Sequence, residues 1–323
     1  MISFRRSLTQ DQIPRASILF VVQPGERNAF DQRPLEYELT ERFVSFASVY
    51  SRGLDSYPFD RHGIHVVWQT FEELFTSATV SPSTGILTVT IPSRSPVEIS
   101  VIYYRSAYTP HDYPSQEHYT MRFTLESSTA IKCPTIPLQL AGGKKVQQVL
   151  TNPGVLESFM QDPKWEKAGS PATFSDAELG ELRETWMAMW GLDEPDGIDR
   201  ARNGSAHLVL KPQREGGGNN VYRSHIPSFL DTLPEEEREA WIAMEMIIPP
   251  TRHSTNWLAK AGEGVATEKD VVNELGIYGW ALFGGEAELQ EQEAGWLVRT
   301  KGSDSDEGGV AVGFSVLDSV VLV

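Results

Sequence analysis

Cysteine is nearly missing from this sequence: Cys133 is the single one in 323 residues. That excludes an intramolecular disulfide framework and a cysteine-rich zinc centre, and it makes a reducing compartment, the cytoplasm, the expected setting. Basic residues are scarce as well. The 28 Lys+Arg face 44 Asp+Glu, and the net charge of -16 opposes the counterion release on which nucleic-acid binding depends, so DNA and RNA are set aside as partners. Long apolar runs are lacking too. The run from Ala16 to Val22 is far shorter than the roughly 20 residues of a membrane span. It also has no small-residue cleavage site, so it reads as a first β-strand rather than a membrane or secretory segment.

What is present describes a folded protein. Hydrophobic residues at 40% and charged residues at 22% lie far from the composition of disorder. From Ser17 to Tyr104, "SILFVV", "IHVVW", "ILTVTI" and "VEISVIYY" alternate with the helical stretches "DQRPLEYELTERF" and "TFEELFTSA". This alternation predicts an α/β layer with a largely parallel sheet. A helix is expected over about Ser115–Ala130, followed by the Pro/Gly-punctuated linker "CPTIPLQLAGGKK". The predicted boundary gives a first domain over 1–133 and a second over 134–323. The second reads as α+β: helices at "KKVQQVL" and "SDAELGELRETWMAMW", the latter capped by Ser175 or Asp176, then mostly antiparallel strands at "AHLVLK", "WIAMEMII", "VVNELGIYGWALF" and "WLVRTK". Residues 43–61 separate a helix from its following strand by an irregular segment longer than such links usually are, and read as an insertion.

The stretch "VLKPQREGGGNN", Val209 to Asn220, is the strongest local signal. Consecutive glycines let backbone N–H groups approach an anion and form a concave nest. The stretch is not a P-loop, because Lys211 precedes the glycines rather than following them. A solvated hairpin turn is the plain alternative. Glu215 favours the nest, since a carboxylate beside a phosphate cradle is costly unless a divalent cation lies between them. Lysine, glutamate and glycines together describe a nucleotide triphosphate site. Further on, Arg299 and Lys301 in "VRTK" are two apart, so on a strand they share a face.

"LKPQREGGGNNVY" resembles the glycine-rich loop of the eukaryotic glutathione synthetases, members of the ATP-grasp superfamily. "QPGERNAFDQR", "YYRSAYTPHDY", "IKCPTIPLQLAGGKKVQQVL", "NELGIYG" and "RTKGSDSDEGGVAVG" resemble further segments of that family in the same order. The resemblance implies a parallel-sheet substrate-binding domain followed by an ATP-grasp domain with antiparallel sheet and a glycine-rich lid. It also implies ATP- and Mg²⁺-dependent ligation of γ-glutamylcysteine with glycine through an acyl phosphate. Related readings are a ligase using another small amine acceptor and a non-catalytic nucleotide-binding remnant.

Carried over residue by residue, the resemblance gives Lys144, Lys211 and Lys301 to the nucleotide phosphates and Glu215 to Mg²⁺. Gly216, Gly217 and Gly218 form the lid backbone, flanked by Asn219, Asn220 and Tyr222. Met244, Glu245, Met246 and Ile247 match the segment that receives adenine, and Glu274 and Glu307 belong to the nucleotide pocket. Arg299 is matched to a substrate carboxylate, and with Lys211 and Lys301 makes the implied catalytic set. Val310 and Ala311 match a small-residue loop closing over substrate. In the first domain, Glu26, Arg27, Asn28 and Gln32, just past "SILFVV", match the γ-glutamylcysteine site, as do Arg105, Ser106, Ala107 and Tyr108. Ser106 and Ala107 stand where the family usually has Asp-Gly. Without the resemblance, "AMEMI" is a buried strand, Glu274 an exposed strand carboxylate and "GGVAVG" a tight turn. The resemblance further implies a homodimer, and an N-terminal portion carrying more of the catalytic groups than this chain contains, so that little catalysis is expected of the chain alone.

Overall fold

The computed structural model describes residues 17–26, 28–40, 64–92, 95–163, 174–214, 218–249, 255–259, 266–284, 287–310 and 313–319. It divides into two compact units, 1–142 and 143–323.

In the first unit, β1 (Ser17–Val21) leads into α1 (Ala29–Thr40), and β2 (His65–Gln69) into α2 (Phe71–Ser77). Thr70 starts α2 through a reciprocal capping box with Glu73, which satisfies two amides that a helix start otherwise leaves orphaned. Three short strands follow, β3 (Ala78–Val80), β4 (Leu87–Val89) and β5 (Val97–Ile99), then β6 (Val101–Tyr104), α3 (Gln116–Ser127), β7 (Ile131–Cys133) and α4 (Ile136–Ala141). The main sheet has the order β2-β1-β6-β7 and every pair in it is parallel. The "VEISVIYY" run breaks at Ser100 and serves two sheets, because β5 joins β3 and β4 in a separate antiparallel sheet. Leu19, Val21, Leu74, Leu87, Ile102 and Leu125 form the core between these layers.

The stretch expected as a linker after Cys133 contains α4. Thr135 caps it by accepting from Leu138 N at 3.4 Å, and its one proline, Pro137, falls in the first turn, where a missing N–H costs nothing. Ile136 N donates to Glu126 Oε1 at 3.1 Å, and Gln139 Nε2 donates to the Ala107 carbonyl. These bonds tie α4 to the first unit, which ends after Gly142 rather than after Cys133.

The second unit opens with α5 (Lys144–Thr151), α6 (Val155–Met160) and α7 (Asp176–Glu184), the last capped by Ser175. Helix α7 stops before Trp186, and Met189–Gly191 forms β8 instead of continuing it. After α8 (Gly197–Asn203) come β9 (Leu208–Pro212), β10 (Val221–Tyr222), α9 (Ile226–Thr232) and β11 (Trp241–Glu245), giving an antiparallel sheet of order β10-β9-β11-β8. Trp190, Leu210, Ile226, Leu230 and Ala243 pack its core. A second antiparallel sheet has the order β12-β13-β14-β15, from β12 (Thr255–Ala259), β13 (Ala266–Gly284), β14 (Ala287–Gly302) and β15 (Val316–Asp318). Beyond the Tyr278/Gly279 bulge the long β13–β14 hairpin is exposed on both faces. The fold is therefore a mixed α/β protein with parallel and antiparallel sheets.

Candidate functional site

In the first unit, β1 and β6 are parallel neighbours with Val21 opposite Tyr104, and Arg105 N donates to Val21 O at 2.8 Å. The chain leaves β1 toward β2 on one side while β6 lies on the other. The segments after β1 and after β6 therefore meet at the carboxyl end of the sheet where strand order reverses, the place such sheets bind ligands. Glu26, Asn28, Gln32, Arg105, Ser106, Ala107 and Tyr108 are all there. Glu26 Oε1 accepts from Asn28 N at 2.7 Å. Asp31 accepts from Asn28 Nδ2 at 3.0 Å and pairs with Arg105. Burial works against the Arg105 charge, but Tyr103, Tyr108 and Asp31 outweigh it and hold the guanidinium firmly protonated. Tyr108 donates to Tyr104 O at 3.0 Å, and burial pushes its phenol up to about 12.

Two features of this cluster are costly on their own. Gln32 is 1% exposed, yet neither its Nε2 nor its Oε1 has a hydrogen-bond partner among the described residues. Ala107 is fully buried at a φ of 73°, in the left-handed region that side chains other than glycine avoid. Its carbonyl accepts from Tyr113 Oη at 3.3 Å as well as from Gln139, so the turn is held from two sides. The Gly of the family's Asp-Gly pair would meet no strain there.

In the second unit, Lys211 lies on β9 between Ile242 of β11 and the start of the glycine-rich stretch. Its neighbours Leu210 and Pro212 are buried, which fixes its backbone. Burial, and then the nearby Lys144 ammonium, push the Lys211 pKa down, with Glu307 acting against them. Lys144 is the first residue of α5 and donates to Gln147 Oε1 at 3.3 Å, while Lys145 N donates to Gln213 Oε1 at 2.7 Å. That last bond draws the helix start to the strand end. Two ammonium groups, one of them partly buried, beside a helix N-terminus make a place that suits a polyanion.

The rest of this cluster comes from 220–223 and 301–310. Asn220 Nδ2 donates to Tyr222 Oη at 3.0 Å, and burial, together with a hydrogen bond to Glu307, raises the Tyr222 phenol. Asp306 pairs with Arg223 at 3.2 Å, and Lys301 Nζ donates to Asp306 O at 3.1 Å. Val310 O accepts from Gly313 N at 3.0 Å in a turn. Val298 and Thr300 are buried, so Arg299 and Lys301 share the opposite face of β14. Glu274 faces Arg299 across the hairpin and forms an ion pair with it. Met244 is half-buried on β11; Glu245 N and Met246 N are committed to Ala188 O and His207 O, both at 2.9 Å. Ile247, at the end of this segment, is exposed. Gly218 and Asn219 are described, with Gly218 at a φ of 85°. Arg27, Glu215, Gly216, Gly217, Ala311 and the expected insertion 43–61 lie outside the described residues.

Residues 26–322 match the family model described as eukaryotic glutathione synthase, ATP binding domain. The chain belongs to this glutathione synthase family. It is 35% identical over 313 residues to the chloroplastic glutathione synthetase of Arabidopsis thaliana, covering 96% of this chain and 50% of that one. It is 37% identical over 315 residues to the glutathione synthetase large chain of Schizosaccharomyces pombe, covering 94% and 55%. It is 35% identical over 311 residues to the Homo sapiens enzyme, covering 95% and 57%. The chain thus spans about half the length of these relatives. Among solved structures it shares the fold of a glutathione synthetase-like effector, GSS30, from Globodera pallida in its apo form. The TM-score is 0.57 at 19% identity, with 94% of this chain and 56% of that one covered.

The described residues hold no ready-made magnesium cage. Among them no three His, Cys, Asp or Glu side chains gather as a metal cage. Mg²⁺ arriving with a nucleotide asks for less, one or two carboxylates beside the phosphates; Glu307 is near enough to Lys211 to oppose the lowering of its pKa, while Glu215, the expected ligand, lies outside the described residues. Sequence reasoning missed Asp31, which clamps both Asn28 and Arg105, and Asp306, which ties the 303–307 loop to Arg223. Asp31 adjoins Gln32 in "FDQR", but one acid in the first turn of a helix is too common to stand out.

Proposed function

We propose that this chain belongs to a glutathione synthetase of ATP-grasp type, a ligase that joins γ-glutamylcysteine to glycine in the final step of glutathione synthesis. The carboxylate of γ-glutamylcysteine attacks the γ-phosphorus of ATP and ADP departs. The glycine amine then attacks the acyl phosphate, forming the amide and releasing phosphate. The observation that carries this reading is that the bond from Lys145 N to Gln213 Oε1 brings the start of α5 to the end of β9, where burial and the Lys144 charge both lower the Lys211 pKa. Two ammonium groups near each other in a partly buried place are stabilised by an anion of several charges.

The chain's own residues then have separable tasks. Lys144, Lys211 and Lys301 orient and neutralise the phosphates, which is most of what phosphoryl transfer requires. Glu274, with the segment 244–247, receives the nucleoside, and Gly216 to Gly218 with Asn219, Asn220 and Tyr222 cover it. Arg299 holds a substrate carboxylate through its planar fork. Val310 and Ala311, with the glycine-rich lid, keep water from the acyl phosphate. Gln32, Asn28, Arg105 and Tyr108 grip the γ-glutamylcysteine end, with Glu26, Arg27, Ser106 and Ala107 shaping the site. Magnesium, held by Glu215 and the phosphates, would offset the charge that builds up between donor and acceptor oxygens. The reading includes a homodimer and a cytoplasmic setting, the latter supported by the single cysteine.

The test is a thermal melt of the chain with and without MgATP. A ligand at 100 times its Kd stabilises by about 2.7 kcal/mol, so a rise in melting temperature is expected, absent with Mg²⁺ alone. No nucleotide-dependent rise would sink the reading.

A further inference from the structure

Glu274 and Arg299 are opposite each other in the β13–β14 register and their side chains form an ion pair. The side chains are 55% and 34% exposed, so both can be reached by a ligand. The next residue on the same face of β13 is Gly276, over which the Tyr278 ring lies, and Gly308 in the loop above comes close enough that a Cβ there would be 3.7 Å from Glu274 Oε2. Lys301, two residues from Arg299, is instead engaged by the carbonyl of Asp306. Arg299 is therefore the cation on this face that a carboxylate already occupies.

We infer that Glu274 occupies Arg299 in the ligand-free state and that their pair is exchanged when substrates bind, coupling nucleotide affinity to dipeptide affinity. This rests on the reading above, in which Glu274 accepts from the nucleoside and Arg299 takes a substrate carboxylate. Each ligand arriving alone must break the Glu274–Arg299 pair; the second to arrive finds its partner already free. The cost is borne once instead of twice, which is positive coupling, and by linkage it is equal in both directions. For a pair this exposed the coupling is about two- to five-fold in affinity.

The experiment is calorimetric titration of γ-glutamylcysteine into the full chain, with and without a saturating Mg²⁺ complex of a non-hydrolysable ATP analogue, for the wild type and for Glu274→Gln. Without nucleotide, Glu274→Gln is expected to bind γ-glutamylcysteine about two- to five-fold more tightly than the wild type. With nucleotide the two are expected to bind alike. A general charge effect of removing an acid would instead tighten binding equally in both conditions, and that outcome overturns the proposal. So does an unchanged affinity without nucleotide. Glu274→Asp, whose shorter carboxylate cannot span the strand pair, repeats the test with charge retained and is expected to behave like Glu274→Gln. If the wild type binds no nucleotide, the reading of the site fails and this proposal with it; if it binds both ligands independently, the proposal alone fails.

Discussion

Lys211, on the central strand β9, is near enough to Lys144, at the start of α5, for the second ammonium to help push its proton off. Helix and strand are far apart in sequence, and the bond from Lys145 N to Gln213 Oε1 brings them together. The arrangement spends stability in the ligand-free state. Glu307 opposes the repulsion only in part, and on the proposed reading a bound polyphosphate would relieve the rest.

Replacing Lys211 with methionine should therefore separate stability from binding. Methionine keeps the length of the stem while discarding a desolvated cation, so the urea midpoint of the ligand-free chain is expected to rise. Nucleotide affinity is expected to fall about 10- to 100-fold, the loss of a charge-assisted bond of about 1.5–3 kcal/mol. A midpoint that drops while affinity holds would show Lys211 to be a structural residue.

Gln32 offers the same test in the first unit. A buried amide with no partner costs about 1–3 kcal/mol, and leucine has nearly its volume. Gln32→Leu is expected to stabilise the ligand-free chain by about 1 kcal/mol or more and to weaken γ-glutamylcysteine binding at least ten-fold in calorimetry. Destabilisation with unchanged dipeptide affinity would mean that the amide serves the fold and not the ligand.

The alternation of Val/Ile-rich runs with amphipathic stretches made the parallel sheet legible, because a strand buried on both faces needs a continuous apolar run and its crossover needs a helix. What was not legible was set by tertiary partners. Helix α4 is hidden because Pro134 before its cap and Pro137 in its first turn look like punctuation. The "ETWMAMW" end of a predicted helix becomes β8 because β11 offers Ala243 and Met244 as ladder partners for Trp190 and Met189. At the sites, Lys211 and the glycines stand out as a motif, whereas Asp31 can be recognised only once β1 and β6 are side by side. Ala107 looked like a departure from the family, and only its backbone dihedral tells what the departure costs.

That dihedral yields a prediction with two arms. At a φ of 73°, a left-handed conformation costs an L-residue about 1–2 kcal/mol, partly offset in a glycine variant by its greater unfolded-state entropy, about 0.5–1 kcal/mol. Ala107→Gly is therefore expected to lie within about 1 kcal/mol of the wild type in denaturant unfolding. Ala107→Val, branched at Cβ and placed where no surface is exposed, is expected to cost more than about 2 kcal/mol. Equal stability of the two variants would contradict the strained turn.

Acid stability can be argued from a single pair. Arg183 donates to both oxygens of Glu157, Nε at 2.8 Å and Nη2 at 2.7 Å, and it also reaches Thr151 O at 3.2 Å, so it fastens α7 to the end of α5 and the start of α6. The Arg183 hydrogen bond, helped by backbone amides at the start of α6 and by the Arg183 charge, lowers the Glu157 pKa from 4.5 to about 2. Between those two values the unfolded chain binds more protons than the folded one, so this contribution is present above the unfolded pKa and is lost as pH falls through the folded one. In Glu157→Gln the contribution is absent throughout. The wild type should therefore exceed the variant in urea midpoint at pH 7, with the gap closing as pH falls from 4.5 toward 2. A gap that persists unchanged at the acid end would show that the side chain acts through packing rather than charge, since protonation would then leave its contribution untouched.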